Sequence, residues 1–529
     1  MKRYLLSFCL LLITYVSAIA CTSVIISANR TESGVPLMFK NRDTDCLDNR
    51  LAWFDVDSVA FVGLVNAPVD SGEVWAGQNS LGFAVMNTAV YNFDEDSLTA
   101  DYRSDLLRHH RDSDRLAARF SQVLSDSLSL KKQRDRILAD TMRVRYAASL
   151  DSLRMALKTE GAYIDSVQAE LDLWLDSVNK HPELVPQVPF SDKEGEIMFR
   201  ALATCATVAD FLNLLDTLPH PLGIQANFGV IDAAGGAIYV EANNWRYVVY
   251  DVNEEAKGYR VQTNFAFAGD PTKYQGYERY MTAEAAMHDL SDHWTHQPMG
   301  IGHQWLFNHL SRSYRHEVLG FPEGYCPPAG VVVDQDFIPQ RITSAAVVFE
   351  GPAMWTILGY PVCGVAMPAV VCDKDRLPEA MKRTETDSTC LLSNMAMQIK
   401  MDHVFPEPMS NGKQYVQLHT ILFGKKRYPS LMSCTLKAEK QINAQYDKLY
   451  TRWKTGKMTV EQFFSQYQAV AAGFPAIYTR AFRKYLAKPA PMAEAVPAPE
   501  PAPDVPANPD AEPAPDAPAN PDAEPAPAE

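Results

Sequence analysis

Residues 21–45 read CTSVIISANRTESGVPLMFKNRDTD, and this stretch decides the fold. Ser23, Val24, Ile25 and Ile26 favour a strand, 29–34 is turn-rich, and Pro36, Leu37, Met38 and Phe39 return to strand character. The pattern predicts a hairpin whose first strand begins at Cys21 itself. On the second strand, Lys40 and Arg42 share one face and Asn41 and Asp43 the other, because successive side chains alternate.

What precedes the hairpin reads as a leader, 1–20. Lys2 and Arg3 give a positive end, 5–16 is a nearly unbroken apolar run, and Ala18, Ile19 and Ala20 fit the small-x-small cleavage rule. The run is too short to span a bilayer comfortably, and no later segment is long and apolar enough to span. The chain is therefore expected to be exported, periplasmic or extracellular, with Cys21 as its first mature residue. A thiol there stands beside a free α-amine. The amine titrates near ~8 and the thiol near ~8.5, so the amine can take the thiol proton at neutral pH. Nucleophile and base then sit in one residue. Two readings compete: Cys21 as a lipid anchor and Cys21 as a structural cysteine. The lipobox is imperfect, since Ala18 stands where Leu is usual, and a strand follows at once where an anchored chain has a polar tether.

Outward from the hairpin, 52–65 and 82–88 are strand-rich. Composition changes over 101–185, which is charged and poor in Gly and Pro. Ile164, Val167, Leu171, Trp174, Leu175 and Val178 recur there at helical spacing. This reads as a helical insertion that covers the active site or pairs subunits, closed by Pro182, Pro186 and Pro189. A helix is predicted over 194–215, with Thr207 as a cap. Strands follow at 226–231, 237–241, 245–252 and 260–264, a helix at 276–290, and strands at 344–349 and 354–358. The stretch 436–486 is mainly helical. The last 41 residues, 489–529, carry fourteen prolines, nine acidic residues and no basic one. They read as a disordered low-complexity tail.

A chain of 529 residues with net charge −15 needs more than one structural unit, and it lacks the basic face that nucleic-acid binding requires. The cysteines after the leader (21, 46, 205, 326, 363, 372, 390 and 434) are widely spaced with no CxxC pair, which argues against a zinc site. His288, Asp292, His293 and His296 lie close together without an HExxH frame, so no metal is indicated.

The segment CTSVIIS…GVPLMFKNRD resembles the opening of the N-terminal-nucleophile (Ntn) amide hydrolases. Within them it is similar to the choloylglycine hydrolase and penicillin acylase group, and to the acyl-coenzyme A:6-aminopenicillanate acyltransferase-like (peptidase C45-type) family. In those families an N-terminal Cys-Thr strand pairs with a strand ending in Asn-x-Asp, here Asn41-Arg42-Asp43. The resemblance implies that Asp43 orients the nucleophile's amine. GQNSLGFAVMNT resembles the strand whose Asn supplies the oxyanion hole, here Asn87. TVADFLNLLD resembles the helix before the central strands, and NFGVIDAAGGAIYVEANNW those strands. RVQTNFAF resembles the Thr-Asn element and places Asn264 in the site. YQGYERYMTAEAA resembles the Ser-x-x-Arg helix start, with Arg279 as its arginine, expected to favour the thiolate; Gly276 stands where the Ser would be. The choloylglycine branch has Arg where Lys40 stands, which leaves open whether Lys40 or Arg42 contacts the thiolate.

The resemblance implies an α+β fold: a four-layer αββα Ntn-hydrolase sandwich with the helical insertion and the disordered Pro/Ala/acidic tail added. Its core would run over 21–100 and 186–370, followed by a mainly helical region at 371–488. The implied activity is hydrolysis of a linear amide through a thioester acyl-enzyme, with Cys21, Asp43, Asn87, Asn264 and Arg279 in the site and no cofactor or metal. The implied partner is a small-molecule amide, namely a bile-acid conjugate, an N-acyl amino acid, a penicillin-like or a short aminoacyl amide; a homo-oligomer is compatible. An acyltransferase on the same site is the alternative within the class. A non-enzymatic, lipid-anchored binding protein is the alternative outside it.

Overall fold

The computed structural model describes residues 20–31, 33–57, 59–68, 72–93, 193–292, 301–372, 374–383, 389–406, 413–424 and 428–486. The predicted leader except Ala20, the helical insertion and the acidic tail lie outside the described residues. So do His293 and His296.

The hairpin forms as the sequence predicts. Strand β1 (Cys21–Ile26) runs antiparallel to β2 (Leu37–Asp43). Neither strand shows an alternation of exposure, because every residue of both is buried. A strand covered on both faces needs none. β1 lies inside a six-stranded sheet, between β2 and β10 (Tyr259–Gln262), and β2 continues through β12 (Thr343–Glu350), β13 (Ala353–Leu358) and β14 (Met367–Val370). All its described pairings are antiparallel.

The second sheet is a seven-stranded antiparallel meander. It runs in chain order through β3 (Asn49–Val56), β4 (Val59–Asn66), β5 (Ala76–Asn79), β6 (Ala84–Ala89), β7 (Ala226–Ile231), β8 (Ala237–Ala242) and β9 (Tyr247–Asp251). β1 and β2 face β6, β7 and β8 across the gap between the sheets. At Gly229 a Cβ would overlap the end of the Met86 side chain on the neighbouring strand and stand 3.2 Å from the side chains of Ile25 and Met38 on the facing sheet.

Helices cover both outer faces. Against the second sheet lie α1 (Glu194–Thr204) and α2 (Val208–Thr217), which bury Met198, Leu202, Phe211 and Leu215 on Phe61, Val85 and Phe228. The single helix predicted over 194–215 is two helices. Cys205 leaves helical geometry, and Thr207 starts α2 with a capping box in which it and Asp210 bond each other's main-chain N–H. Against the first sheet lie α3 (Tyr277–Asp292), α4 (His303–Leu306), α5 (Leu391–Ile399) and, with α6 (Leu418–Leu422) packed on it, α7 (Leu431–Lys454). α7 packs with α8 (Val460–Ala471) and α9 (Phe474–Leu486). The short strands β11 (Val332–Val333) and β15 (Tyr415–Val416) pair with each other. Among the described residues no helix is long and apolar enough to cross a membrane.

Candidate active site

Lys40, Asn41, Arg42 and Asp43 form a run of four polar residues buried in the interior of a sheet. Such burial is costly unless every group is satisfied or the site has a use for the strain. Register decides where each side chain goes. Cys21 lies opposite Arg42 and Ser23 opposite Lys40, and directly opposed residues share a face. Cys21, Ser23, Lys40 and Arg42 thus point between the sheets. Thr22, Asn41 and Asp43 point toward the covering helices.

The thiol side is built around Lys40. Its Nζ donates to the Trp75 carbonyl at 2.6 Å and to Asn87 Oδ1 at 2.8 Å, both on the second sheet side. Asn87 Nδ2 in turn donates to Glu194 Oε2 at 3.2 Å. Glu194 opens α1, and its other oxygen accepts from the Gln225 N–H at 3.3 Å. Arg42 bonds Asn49 and, at 2.9 Å, Asn66 Oδ1, and lies over the Trp75 ring. Cys21 is 4% exposed. Burial pushes its thiol up; the Lys40 charge pulls it down, the Asp43 charge pushes up, and the Asp43 main-chain N–H and the Arg42 charge pull down. Burial lowers Lys40 itself to about 8 and Arg42 to about 10.

The amine side is built around Asn264. The Cys21 main-chain N–H donates to Asn264 Oδ1 at 2.8 Å. Arg279 Nη2 donates to the same oxygen at 2.8 Å, while its Nη1 donates to the Cys21 carbonyl at 2.6 Å and to Thr22 Oγ1 at 3.1 Å. Asn264 Nδ2 donates to the Ala89 carbonyl at 2.8 Å, which ties the end of β6 to the same point. Gly276 explains its place in the helix start. It has φ +77°, and a Cβ there would clash with Arg279 Nη2. A serine at this position would displace the guanidinium.

Asp43 is held on the helix side. Its Oδ1 accepts from Asn41 Nδ2 at 2.8 Å and from Thr343 Oγ1 at 2.5 Å. Burial pushes its carboxyl up to about 8, against the pull of Arg279.

Asn264 and Arg279 bond Cys21 directly, the Asp43 main-chain N–H reaches its thiol, and Asn87 is linked to this group through Lys40. Two roles differ in detail from those the resemblance implies. Arg279 meets the Cys21 main chain, and the cations that act on the thiol are Lys40 and Arg42, because Arg279 approaches from the Thr22 face. Asn87 has one amide N–H engaged by Glu194. Lys40, which the sequence leaves level with Arg42, is the stronger of the two at the thiol. Its signal is that KNRD ends a strand whose preceding residues are all apolar. Glu194 and Thr343 are the residues that sequence reasoning did not place in the site. Glu194 carried no local signal, since about a hundred residues separate it from Asn87. The eight described cysteines are free thiols.

No protein-family model matches the chain, and no curated protein matches it. Among solved structures it is similar to the Caenorhabditis elegans ortholog of N-acylethanolamine-hydrolyzing acid amidase, at 15% identity over 62% of this chain and 92% of that one, with a TM-score of 0.31. It is similar to a variant of conjugated bile acid hydrolase from Clostridium perfringens, at 9% identity over 64% and 89%, TM-score 0.32. Penicillin V acylase from Agrobacterium tumefaciens overlaps at 11% identity over 66% and 86%, TM-score 0.29. Superpositions this shallow carry no function across; the residues around Cys21 have to do so.

Proposed function

We propose that the chain is an exported N-terminal-cysteine hydrolase that cleaves a linear amide through a thioester acyl-enzyme, of the Ntn amidohydrolase class. One observation carries this reading. The main-chain N–H of Cys21 donates to Asn264 Oδ1, Arg279 holds that same oxygen and the Cys21 carbonyl, and the Cys21 side chain faces a buried ammonium, Lys40. A nitrogen held so carefully is what a free α-amine at that position would require.

In this mechanism, removal of 1–20 frees the Cys21 amine on Asn264 Oδ1. The amine takes the proton from Sγ, and Lys40 and Arg42 favour the thiolate. Sγ attacks the amide carbonyl carbon. The negative charge that develops on the carbonyl oxygen is met by the Asn87 amide N–H that Glu194 does not take, aided by backbone N–H groups. The C–N bond breaks as the ammonium gives its proton to the leaving amine. Water, activated by the same amine, then attacks the thioester and releases the acid and Sγ. Asn264, held by Arg279, fixes the amine throughout.

The burial of Cys21 supports this reading over the lipid anchor, since an acylated cysteine has to leave the gap between two sheets. Two measurements test it together. The mass of the mature N-terminus is expected to be that of a free Cys21. Cys21→Ser is expected to fold and to lose turnover of a panel of linear amides. A lipid-modified Cys21, or turnover kept in the variant, sinks the reading. Release of the acyl group onto a second amine in place of water would assign the acyltransferase alternative.

A further inference from the structure

A second buried ammonium lies behind Asp43, and the mechanism above does not use it. Lys400 follows α5, at the head of a π turn (Lys400–Val404), and is 1% exposed. Single π turns of this kind recur at functional sites. Its Nζ donates to the Arg341 carbonyl. The Arg341 N–H donates to Asp334 Oδ2 at 3.0 Å, and the Gln340 N–H donates to Thr343 Oγ1 at 2.8 Å. Thr343 is the residue that donates to Asp43, and the Ile338 carbonyl accepts from Asn41 at 3.0 Å. Thr44 continues the contact, its N–H donating to the Ile342 carbonyl at 3.0 Å. The stretch 334–343 is therefore fastened at one side to Lys400 and at the other to the Asn41-Asp43 pair.

Charge points the same way. Asp43 Oδ2 and Asp334 Oδ1 are buried with no hydrogen-bond partner among the described residues. Two buried carboxylates repel each other, and an ammonium near both offsets that repulsion.

Resting on the nucleophile reading above, we propose that Lys400 is a positioning residue for Asp43: it pins the 334–343 stretch beneath it and supplies the positive charge that lets Asp43 ionise beside Asp334. On its own face Asp43 meets Arg279 from α3, Thr343 from β12, Asp334 from the stretch after β11 and Lys400 from the π turn; Cys21 from β1 and Lys40 and Arg42 from its own strand, all on the opposite face, act on it through charge. Those facing Lys400 are Cys363, Arg341, Asp334 and Asp43, with the Tyr360 and Phe405 rings at 5.2 and 5.9 Å. Burial takes Asp334 up to about 6, against the pull of the Arg341 N–H and of the Lys400 and Arg341 charges, with Asp336 adding to the rise.

The test is the pH profile of kcat/KM in the full-length chain, on an amide that the wild type turns over. On this proposal the ionised Asp43 is the working form, so activity is expected to fall as pH falls through its titration. Lys400→Met removes a positive charge and is expected to move this acid limb to higher pH, with roughly a tenfold loss at pH 7 for each pH unit the limb moves. Lys400→Arg is expected to restore the limb. Asp334→Asn removes a negative charge and is expected to move it to lower pH, which decides the matter should Lys400→Met fail to fold. A uniform loss at every pH in Lys400→Met, or an unmoved limb in Asp334→Asn, overturns the proposal. The two readings fail differently. An unmoved limb with an inactive Cys21→Ser removes only the role of Lys400, whereas turnover retained in Cys21→Ser removes the nucleophile, and this inference with it.

Discussion

Lys40 shows how one side chain shapes the chemistry open to its neighbour. Its ammonium is fixed between the sheets by a carbonyl and a side-chain amide. Burial raises the Cys21 thiol, and Lys40 is the largest influence in the other direction. Lys40→Met is therefore expected to move thiolate formation to higher pH. It should lower kcat/KM at neutral pH roughly tenfold or more, since a thiol that titrates one pH unit higher leaves about a tenth of the thiolate. Peptide-resolved alkylation of Cys21 against pH checks this directly. Lys40→Arg should keep much of the effect, although it loses the titration near about 8. On the amine side, Gly276→Ser should displace Arg279 from the Cys21 carbonyl. The expected outcome is a folded protein with reduced kcat, read from steady-state kinetics beside a circular dichroism melt.

At the scale of elements, strand register does most of the work. A shift of β1 by one residue would turn Cys21 to the helix side and Thr22 to the gap. The register is held on both edges, by β2 and by β10, and at Tyr239, whose hydroxyl donates to Ser23 Oγ at 3.0 Å across the gap. Helix α1 contributes by its start: Glu194 reaches Asn87, and the Lys193 N–H donating to the Gly223 carbonyl fastens the beginning of the helix to the segment that leads into β7. Away from the site, the capping box of α2 is a purely structural device. Thr207→Ala is expected to cost about 1 kcal/mol of stability and leave turnover unchanged, measured by denaturant unfolding and the amide assay together.

Across the whole molecule, buried charge sets how stability answers to pH. Asp43 titrates near about 8 in the fold because burial dominates, against an ordinary carboxyl value of 3.8. A carboxyl raised in this way favours the folded state when protonated. That contribution is full below the ordinary carboxyl value and is lost as pH rises toward 8. Asp43→Asn should accordingly be more stable than the wild type, with the difference growing between about pH 4 and about pH 8, while turnover is lost. Melting temperatures across that range decide it; a constant difference would show that Asp43 does not titrate there. A second buried pair, Arg312 and Glu439, ties α7 to the turn after α4 with both side chains fully buried and Glu439 also accepting from the Ala366 N–H. Arg312→Met leaves that carboxylate uncompensated and should cost about 3–5 kcal/mol.

The hairpin from Cys21 to Asp43, the strand groups around it and the helical C-terminal region were legible in the sequence, because β-rich runs, turn residues and 3.6-residue periodicity are local properties. The composition of 21–45 also determined which residue types could do chemistry, and the alternation along β2 split Lys40 and Arg42 from Asn41 and Asp43 before any fold was known. The tertiary structure alone decided what those faces meet. It set Lys40 against Trp75 and Asn87, brought Glu194 to Asn87 across the long intervening segment, and led Arg279 to the Cys21 main chain from the side opposite the thiol. It also broke the helix predicted over 194–215, where a capping interaction outweighed continuous helical periodicity. The physical reason is common to all of these. Periodicity fixes the direction of a side chain relative to its own strand or helix, whereas a partner's identity depends on which surfaces pack, and that is settled by the whole buried core.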